Sequence, residues 1–337
     1  MRATGLGSFP GEDQRDFDEA VAIVLGELGS DAHGLPFLPE VPFRGAHAGM
    51  VGRTLGLVTE LDADLQPGGW RLTGTSGAPP LDQRRARSLL AQDLDALEER
   101  AVGHDGDFKV QVAGPWTLAS WVERPRGDRL LADHGARRDL AQALAAGVAD
   151  HVRDLRRRLP AVDRLVVQVD GAIPAAVLEG GVPTASGFGR HRVVHPPEAS
   201  EALAWLVEAV RDAGAEVWAH DCGPTPPVDL IRGAGVTGVH VDLSLATPEV
   251  HDQLATALEA GDTVLLGVVP SLDPDPVPGV GQVAQQVLRW LDMVGLDPAL
   301  HADRVLVAPT CGHAGATAAW TRQALELSRA AAQALDG

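Results

Sequence analysis

The chain has 337 residues, enough for one large barrel or for two ordinary domains. Its 28 basic and 46 acidic residues give a net charge of −18, which argues against nucleic acid and anionic membranes as partners because both require a basic surface. Apolar residues make up 45% of the chain and charged residues 22%, proportions that are ordinary for a folded globular protein and exclude a disordered one.

The N-terminal segment carries no signal-peptide features. It has no apolar core and no small-residue cleavage site, and no stretch of the chain approaches the ~18 uninterrupted apolar residues of a membrane span. The chain has 2 cysteines, too few for a disulfide framework, and a reducing compartment keeps both as thiols. We therefore predict a cytoplasmic protein.

Eight short apolar runs recur along the chain without the polar alternation of a half-exposed strand, which is typical of strands buried on both faces of a parallel sheet. They cover residues 3–8, 36–41, 109–113, 164–170, 216–221, 238–243, 263–269 and 304–310. Segments with helical spacing lie between them, at residues 13–28, 81–100, 137–159, 197–213, 248–260, 281–294 and 315–335. This alternation predicts one (β/α)8 TIM barrel over residues 1–337. Prolines make the second run a poor central strand.

Two segments interrupt the strand–helix pattern. Residues 55–80 alternate in polarity around glycine- and proline-rich turns, which predicts a hairpin. Residues 178–196 contain four glycines and little periodicity, which predicts an irregular loop. Insertions of this kind on barrel loops commonly cover the active site, so we expect both segments near the mouth of the barrel.

Both cysteines lie at the ends of predicted strands. His220 and Cys222 are two residues apart at the end of the fifth strand, and Cys311 ends the eighth. Because strand ends converge at one mouth of a barrel, one imidazole and two thiolates are expected to meet there, a ligand set that favours zinc. Asp242 at the end of the sixth strand is the first candidate for the fourth ligand, and His240 on the same face is the alternative.

Three further motifs occur in the sequence before His220. Residues 5–10 read Gly-Leu-Gly-Ser-Phe-Pro, residues 113–118 read Ala-Gly-Pro-Trp-Thr-Leu ahead of Trp121, and residues 167–170 read Val-Gln-Val-Asp. With the His-x-Cys, acidic and Cys-Gly pattern, they resemble the catalytic half of cobalamin-independent methionine synthase. The resemblance covers nearly the whole chain.

The resemblance implies a zinc-dependent methyltransferase that transfers a methyl group to the thiolate of homocysteine and yields methionine. It makes His220, Cys222 and Cys311 zinc ligands and puts Asp242 where the family has a ligating Glu. It also implies that the catalytic residues include Asp170 and Asp242. Homocysteine would contact Leu6, Gly7, Ser8, Glu40, Trp121 and Asp170. Charge fits this assignment, because a carboxylate such as Asp170 suits an ammonium group.

The sequence departs from the family pattern in four ways. The chain is about half as long as the two-barrel members, and Asp242 is one methylene shorter than Glu. The family's histidine after the seventh strand has no counterpart in residues 267–271, and Thr310 replaces an aspartate before Cys311. The shorter chain and the missing histidine predict a methyl donor other than methyltetrahydrofolate, such as a corrinoid or a corrinoid protein, while the shorter side chain of Asp242 bears on its ligation of zinc.

Three alternatives remain at this stage. A related zinc enzyme could alkylate a coenzyme-M-like thiol, which would require a cationic pocket for a sulfonate. A uroporphyrinogen decarboxylase-like enzyme would use no metal and would require clustered arginines. A zinc-binding accessory protein would have no turnover. Zinc content and turnover distinguish these alternatives.

Overall fold

The structure is a computed structural model that describes residues 1–74 and 78–336. Its strands are β1 (Arg2–Ala3), β2 (Asp62–Gln66), β3 (Gly69–Gly74), β4 (Phe108–Ala113), β5 (Leu165–Asp170), β6 (Glu216–Asp221), β7 (Gly238–Asp242), β8 (Thr263–Val269) and β9 (Val305–Pro309). Its helices are α1 (Gln14–Leu28), α2 (Met50–Leu57), α3 (Leu81–Arg100), α4 (Pro115–Trp121), α5 (His134–Arg158), α6 (Ala175–Leu178), α7 (Pro196–Asp212), α8 (Val228–Gly233), α9 (Pro248–Glu259), α10 (Val280–Met293), α11 (Pro298–His301) and α12 (Ala318–Ala334).

The strands form a curved parallel sheet in the order β1-β9-β8-β7-β6-β5-β4, with β2 and β3 in a separate pair. Residues 34–40 lie between the two edge strands of this sheet. Gly34 bridges Ala3 on one side, and Phe37 bridges Lys109 on the other, both in parallel. This segment therefore completes the barrel wall, and the predicted TIM-barrel fold is confirmed.

The first two predicted strands are less regular than the sequence indicated. The run at residues 36–41 makes isolated bridges and no continuous ladder, because Pro36 and Pro39 have no N–H to donate. The first strand ends at Ala3, and the chain then turns through Gly7, whose φ of +121° favours glycine. The remaining six strands lie within two residues of their predicted limits.

Apolar side chains fill both the barrel and the space between the barrel and its helices. Six of them form a cluster of their own: Leu35, Val166, Trp218, Leu265, Leu306 and Ala308. Buried polar side chains occur on the same strands, and Lys109, Gln168 and His240 are each no more than 1% exposed. On β5, Gln168 and Asp170 follow Val166 toward the C-terminal end, so the interior becomes polar near the mouth.

The two insertions have different structures. The predicted hairpin is confirmed as the antiparallel pair β2–β3, although residues 75–77 lie outside the described part of the chain. In the segment 178–196, Pro183 bridges Arg190, and the Ala185 N–H donates to the Asp128 carboxylate at 2.8 Å. The covering role of both insertions, like the assignment of residues 1–337 to a single domain, stays a prediction.

Five helices were not expected from the sequence: α2, α4, α6, α8 and α11. All have eight residues or fewer, too few to show a helical period. α4 nevertheless has a clear start signal, because Gly114 is followed by Pro115 in the first turn. No helix in the described residues has the length and apolar content needed to cross a membrane.

Candidate active site

The three predicted metal ligands meet at the mouth of the barrel. His220 is the last but one residue of β6, Cys222 follows that strand directly, and Cys311 lies two residues after β9. One nitrogen and the two sulfur atoms all lie within 4.8 Å of one another, and the two Sγ atoms are 3.1 Å apart. The geometry brings together residues that are up to 91 positions apart in sequence (311 minus 220).

The orientation of the His220 ring suits a metal ligand. Its Nδ1 is 3.1 Å from Oδ1 of Asp170, which lies opposite it in the β5–β6 ladder. Its Nε2 is buried and has no hydrogen-bond partner among the described residues. Ligating histidines usually donate one ring N–H to a carboxylate and bind the metal through the other nitrogen. The unpartnered nitrogen beside two thiols therefore fits zinc.

The ionisable groups of this cluster depend strongly on one another. Burial by itself lowers the pKa of His220, but the neighbouring Asp170 carboxylate and Cys222 thiol outweigh burial and raise that pKa to about 9. The hydrogen bond between the two thiols lowers the pKa of Cys311 to about 7 and raises that of Cys222. One thiol of the pair therefore ionises well before the other, as expected for sulfur atoms that share a proton.

The two candidates for the fourth ligand lie on β7 and have other contacts in this structure. Oδ1 of Asp242 accepts hydrogen bonds from the backbone N–H and the hydroxyl of Ser244, at 2.9 and 2.7 Å. Nε2 of His240 is 2.9 Å from the Pro309 carbonyl, and its ring packs edge-on against His220 at 4.8 Å. Among the described residues, neither side chain belongs to the cluster of possible metal ligands that His220 forms with the two cysteines.

A cavity of about 460 Å³ opens beside the metal ligands. It is lined by the three ligands together with most of the predicted substrate contacts: Leu6, Ser8, Glu40, Trp121 and Asp170. Trp121 is 60% exposed at its rim, whereas Glu40 is buried. Gly7, the remaining predicted contact, does not line the cavity, and its carbonyl accepts the Glu40 N–H at 2.9 Å. Carboxylates and thiols therefore line the same cavity.

Two glycines allow the backbone segments around the cavity to approach closely. A Cβ on Gly7 would lie 2.7 Å from the Gln111 amide nitrogen, in addition to the strain of its positive φ. A Cβ on Gly312 would lie 2.0 Å from the Ser8 hydroxyl oxygen. The Ser8 carbonyl also accepts the His313 N–H at 2.9 Å, so the loop after β9 is fixed against residues 6–8.

Glu40 is part of a buried ion-pair network that the sequence analysis did not detect. Nε of Arg53 lies 3.6 Å from Oε1 of Glu40, and the Arg53 guanidinium also contacts the fully buried Asp93, which Arg44 contacts as well. Burial raises the pKa of Glu40 to about 7, while the charge of Arg53 acts against this rise. Arg53 comes from α2, an unpredicted helix, so the sequence carried no signal for this contact.

A second cavity, of about 650 Å³, opens at the carboxyl ends of β7 and β8. Its lining includes Asp242, Ser244, Ser271, Arg289 and Thr310. The Thr310 hydroxyl accepts the Ser271 N–H at 3.2 Å, which fixes the loop after β8. Asp242 thus faces a different space from the one that Asp170 and the thiols face.

The comparisons with known proteins agree with this geometry. The family model described as cobalamin-independent synthase, catalytic domain, matches residues 100–334, which is more than half of the chain. The chain belongs to this family. It is accordingly a methyltransferase of the methionine-synthesis class, as the sequence motifs predicted. No curated protein has a sequence that matches the chain significantly.

Solved structures support the fold. A B12-independent methionine synthase from Shewanella sp. W3-18-1, in complex with selenomethionine, is similar with a TM-score of 0.61 and 13% identity, over 99% of this chain and 97% of that one. An exo-β-1,4-mannosidase from Opitutaceae bacterium strain TAV5 has a TM-score of 0.47 and 11% identity, over 97% of this chain and 55% of that one. At 13% identity the likeness to the methionine synthase establishes the fold alone.

Proposed function

We propose that this chain transfers a methyl group to the thiolate of homocysteine in a zinc-dependent reaction that yields methionine. One observation carries the proposal: His220, Cys222 and Cys311 converge beside a cavity whose other polar lining includes Glu40 and Asp170. The thiol-activating group and the residues suited to an amino acid thus share one space. Family membership favours this reaction over the decarboxylase and accessory-protein alternatives.

The metal would be held by His220, Cys222 and Cys311, with Asp242 proposed as the fourth ligand and His240 as the alternative. When bound, zinc supplies a charge that removes the proton from a substrate thiol, whose pKa is otherwise ~8.5, and leaves the sulfur nucleophilic. Asp170 holds the His220 ring in position. A cytoplasmic location is part of the proposal, because both cysteines must remain reduced.

The amino-acid part of homocysteine would be bound by other residues that line the same cavity. Glu40 and Asp170 offer carboxylates to the ammonium group, and the backbone of residues 6–8 faces the substrate carboxylate. Trp121 would contact the substrate or donor at the rim. Among the described residues, the lining contains no lysine or arginine, which disfavours a sulfonate-bearing thiol such as coenzyme M.

For the donor we propose a corrinoid or a corrinoid protein. In the transfer, a sulfur–carbon bond forms while the bond from the methyl group to its carrier breaks, and the carrier keeps the electron pair. A folate amine needs a proton as it leaves, and general acid catalysis of this kind contributes about 10²–10⁴ in rate. Residues 267–271 contain no histidine, and His313, which reaches the Ser271 carbonyl, is buried. A corrinoid needs no such proton.

Methionine formation by zinc-loaded protein tests the proposal. The assay supplies homocysteine with either methylcobalamin or methyltetrahydrofolate, and coenzyme M replaces homocysteine in a parallel reaction. We expect methionine from methylcobalamin at the higher rate and little methylation of coenzyme M. Comparable or faster turnover with the folate would contradict the donor assignment. Zinc-loaded protein that methylates no thiol from either donor would overturn the proposed reaction.

A further inference from the structure

A lysine lies in the barrel interior beneath the cavity, in a place where charged groups are costly. The Lys109 side chain is fully buried on β4, and its Nζ is 5.1 Å from the centre of the Phe37 ring. Nζ donates a hydrogen bond of 2.6 Å to Oε1 of Gln168 on the neighbouring strand β5. Lysines are almost never fully buried unless they are paired, so this contact requires an explanation.

The lysine fixes the orientation of the glutamine amide. Nζ can donate as an ammonium and as a neutral amine, and it donates here, so the atom that faces Nζ is the amide oxygen. The amide nitrogen of Gln168 must then point the other way, where it donates to the Leu6 carbonyl at 3.0 Å and to Oδ1 of Asp170 at 2.7 Å. With the amide reversed, its oxygen would face two acceptors and both contacts would be lost.

These two acceptors belong to different parts of the proposed site. Leu6 begins the backbone segment that faces the substrate carboxylate, and Asp170 holds the metal ligand His220 through the same Oδ1 atom. A single amide therefore fixes the position of the substrate-binding backbone relative to the metal-binding histidine. Neither Lys109 nor Gln168 lines the cavity, so both act from behind it.

We propose that Lys109 and Gln168 are a positioning pair that couples the zinc ligand His220 to the homocysteine-binding backbone of residues 6–8. The inference rests on the proposed function and adds two residues to it. Changes in the pair should weaken zinc binding and homocysteine binding together, although neither residue touches the metal or the substrate. Outer partners of metal ligands typically contribute about 10- to 100-fold to metal affinity.

Two substitutions test the pair. Gln168→Glu keeps the size of the side chain but replaces the donating NH2 by an oxygen next to Asp170 and the Leu6 carbonyl, so we expect zinc affinity to fall by about 10- to 100-fold. Lys109→Met removes the group that orients the amide, and we expect a smaller loss in the same direction. Gln83→Leu is the matched control, because Gln83 is an equally buried glutamine that donates to the Leu55, Val58 and Leu61 carbonyls and makes none of these contacts with the site.

The readouts are the zinc dissociation constant from competition with a chromophoric chelator, the d–d absorption bands of the cobalt-substituted protein, and KM for homocysteine. We expect both site variants to change all three, and Gln83→Leu to lower only the unfolding temperature. Unchanged zinc affinity and cobalt bands in Gln168→Glu, in a folded protein, would overturn the proposal. The zinc and cobalt measurements need no turnover, so they test the pair even if the wild-type protein fails to methylate homocysteine.

Discussion

Asp170 and Asp242 end the two strands that flank β6, yet their carboxylates have different surroundings. Asp170 faces the cavity with the thiols and accepts hydrogen bonds from His220 and Gln168. Asp242 faces the neighbouring cavity, and its carboxylate accepts two hydrogen bonds from Ser244. Two aspartates at equivalent strand ends therefore face different cavities and have different hydrogen-bond partners.

The residues that follow each aspartate explain the difference. After Asp170 the chain turns at once through Gly171, whose φ is +59° and whose N–H donates to the His220 carbonyl, so the following turn adds no side chain to the carboxylate, which is bonded by His220 and Gln168. After Asp242, Ser244 is two residues on, the spacing at which aspartate commonly accepts from the local backbone. Ligation by Asp242 therefore requires it to give up the bonds to Ser244, whereas Asp170 already has its partners.

The largest effect should follow loss of a thiol. Cys222→Ser and Cys311→Ser should each lose most of the bound metal and reduce methyl transfer by more than about 100-fold, beyond what loss of an outer partner causes. The barrel should remain folded, because both side chains lie at the mouth and not in the apolar core. Metal analysis with circular dichroism checks both points. Full metal retention in either variant would exclude that cysteine as a ligand.

The next effect concerns the fourth ligand. If Asp242 binds zinc, Asp242→Asn should weaken metal retention far more than His240→Gln, because His240 is already bonded to the Pro309 carbonyl. Chelator competition on both variants measures the order. A greater loss with His240→Gln would make the histidine the ligand and would leave Asp242 with its bonds to Ser244.

Asp170→Asn should have a smaller effect on the metal. An amide keeps the shape of the side chain but weakens the bond that orients His220, so we expect zinc affinity to fall by about 10- to 100-fold. Homocysteine binding should weaken in parallel, because we propose that the same group faces the substrate ammonium. If zinc affinity is unchanged while KM rises, Asp170 serves only the substrate.

The smallest effect concerns Glu40, the other carboxylate in the cavity. Burial raises its pKa to about 7, so Glu40 is neutral on the acid side of that value and ionised on the basic side. Affinity for the homocysteine ammonium should therefore fall as pH decreases through about 7. Glu40→Gln should remove this dependence and raise KM about tenfold at higher pH, as loss of a charged hydrogen bond typically does. An unchanged pH profile in Glu40→Gln would assign the dependence to another group.

The sequence predicted the parts of the molecule that depend on local pattern. Buried strands have a characteristic composition, and their ends converge in a barrel, so His220, Cys222 and Cys311 could be assigned to one site in advance. The contacts of Lys109, Arg53 and Gln168 could not be predicted, because each depends on which side chain a distant segment brings opposite. The orientation of the Asp242 carboxylate depends on the short turn that follows it, because Ser244 in that turn bonds to the carboxylate. Strand periodicity does not reveal this contact.

The most direct test is the metal content and coordination of the wild-type protein purified without chelators. We expect about one zinc per chain, the capacity of a single ligand cluster, with two sulfur ligands and at least one imidazole nitrogen in the X-ray absorption spectrum. Protein that is metal-free under these conditions and fails to take up added zinc would contradict this expectation. So would bound zinc whose spectrum contains no sulfur.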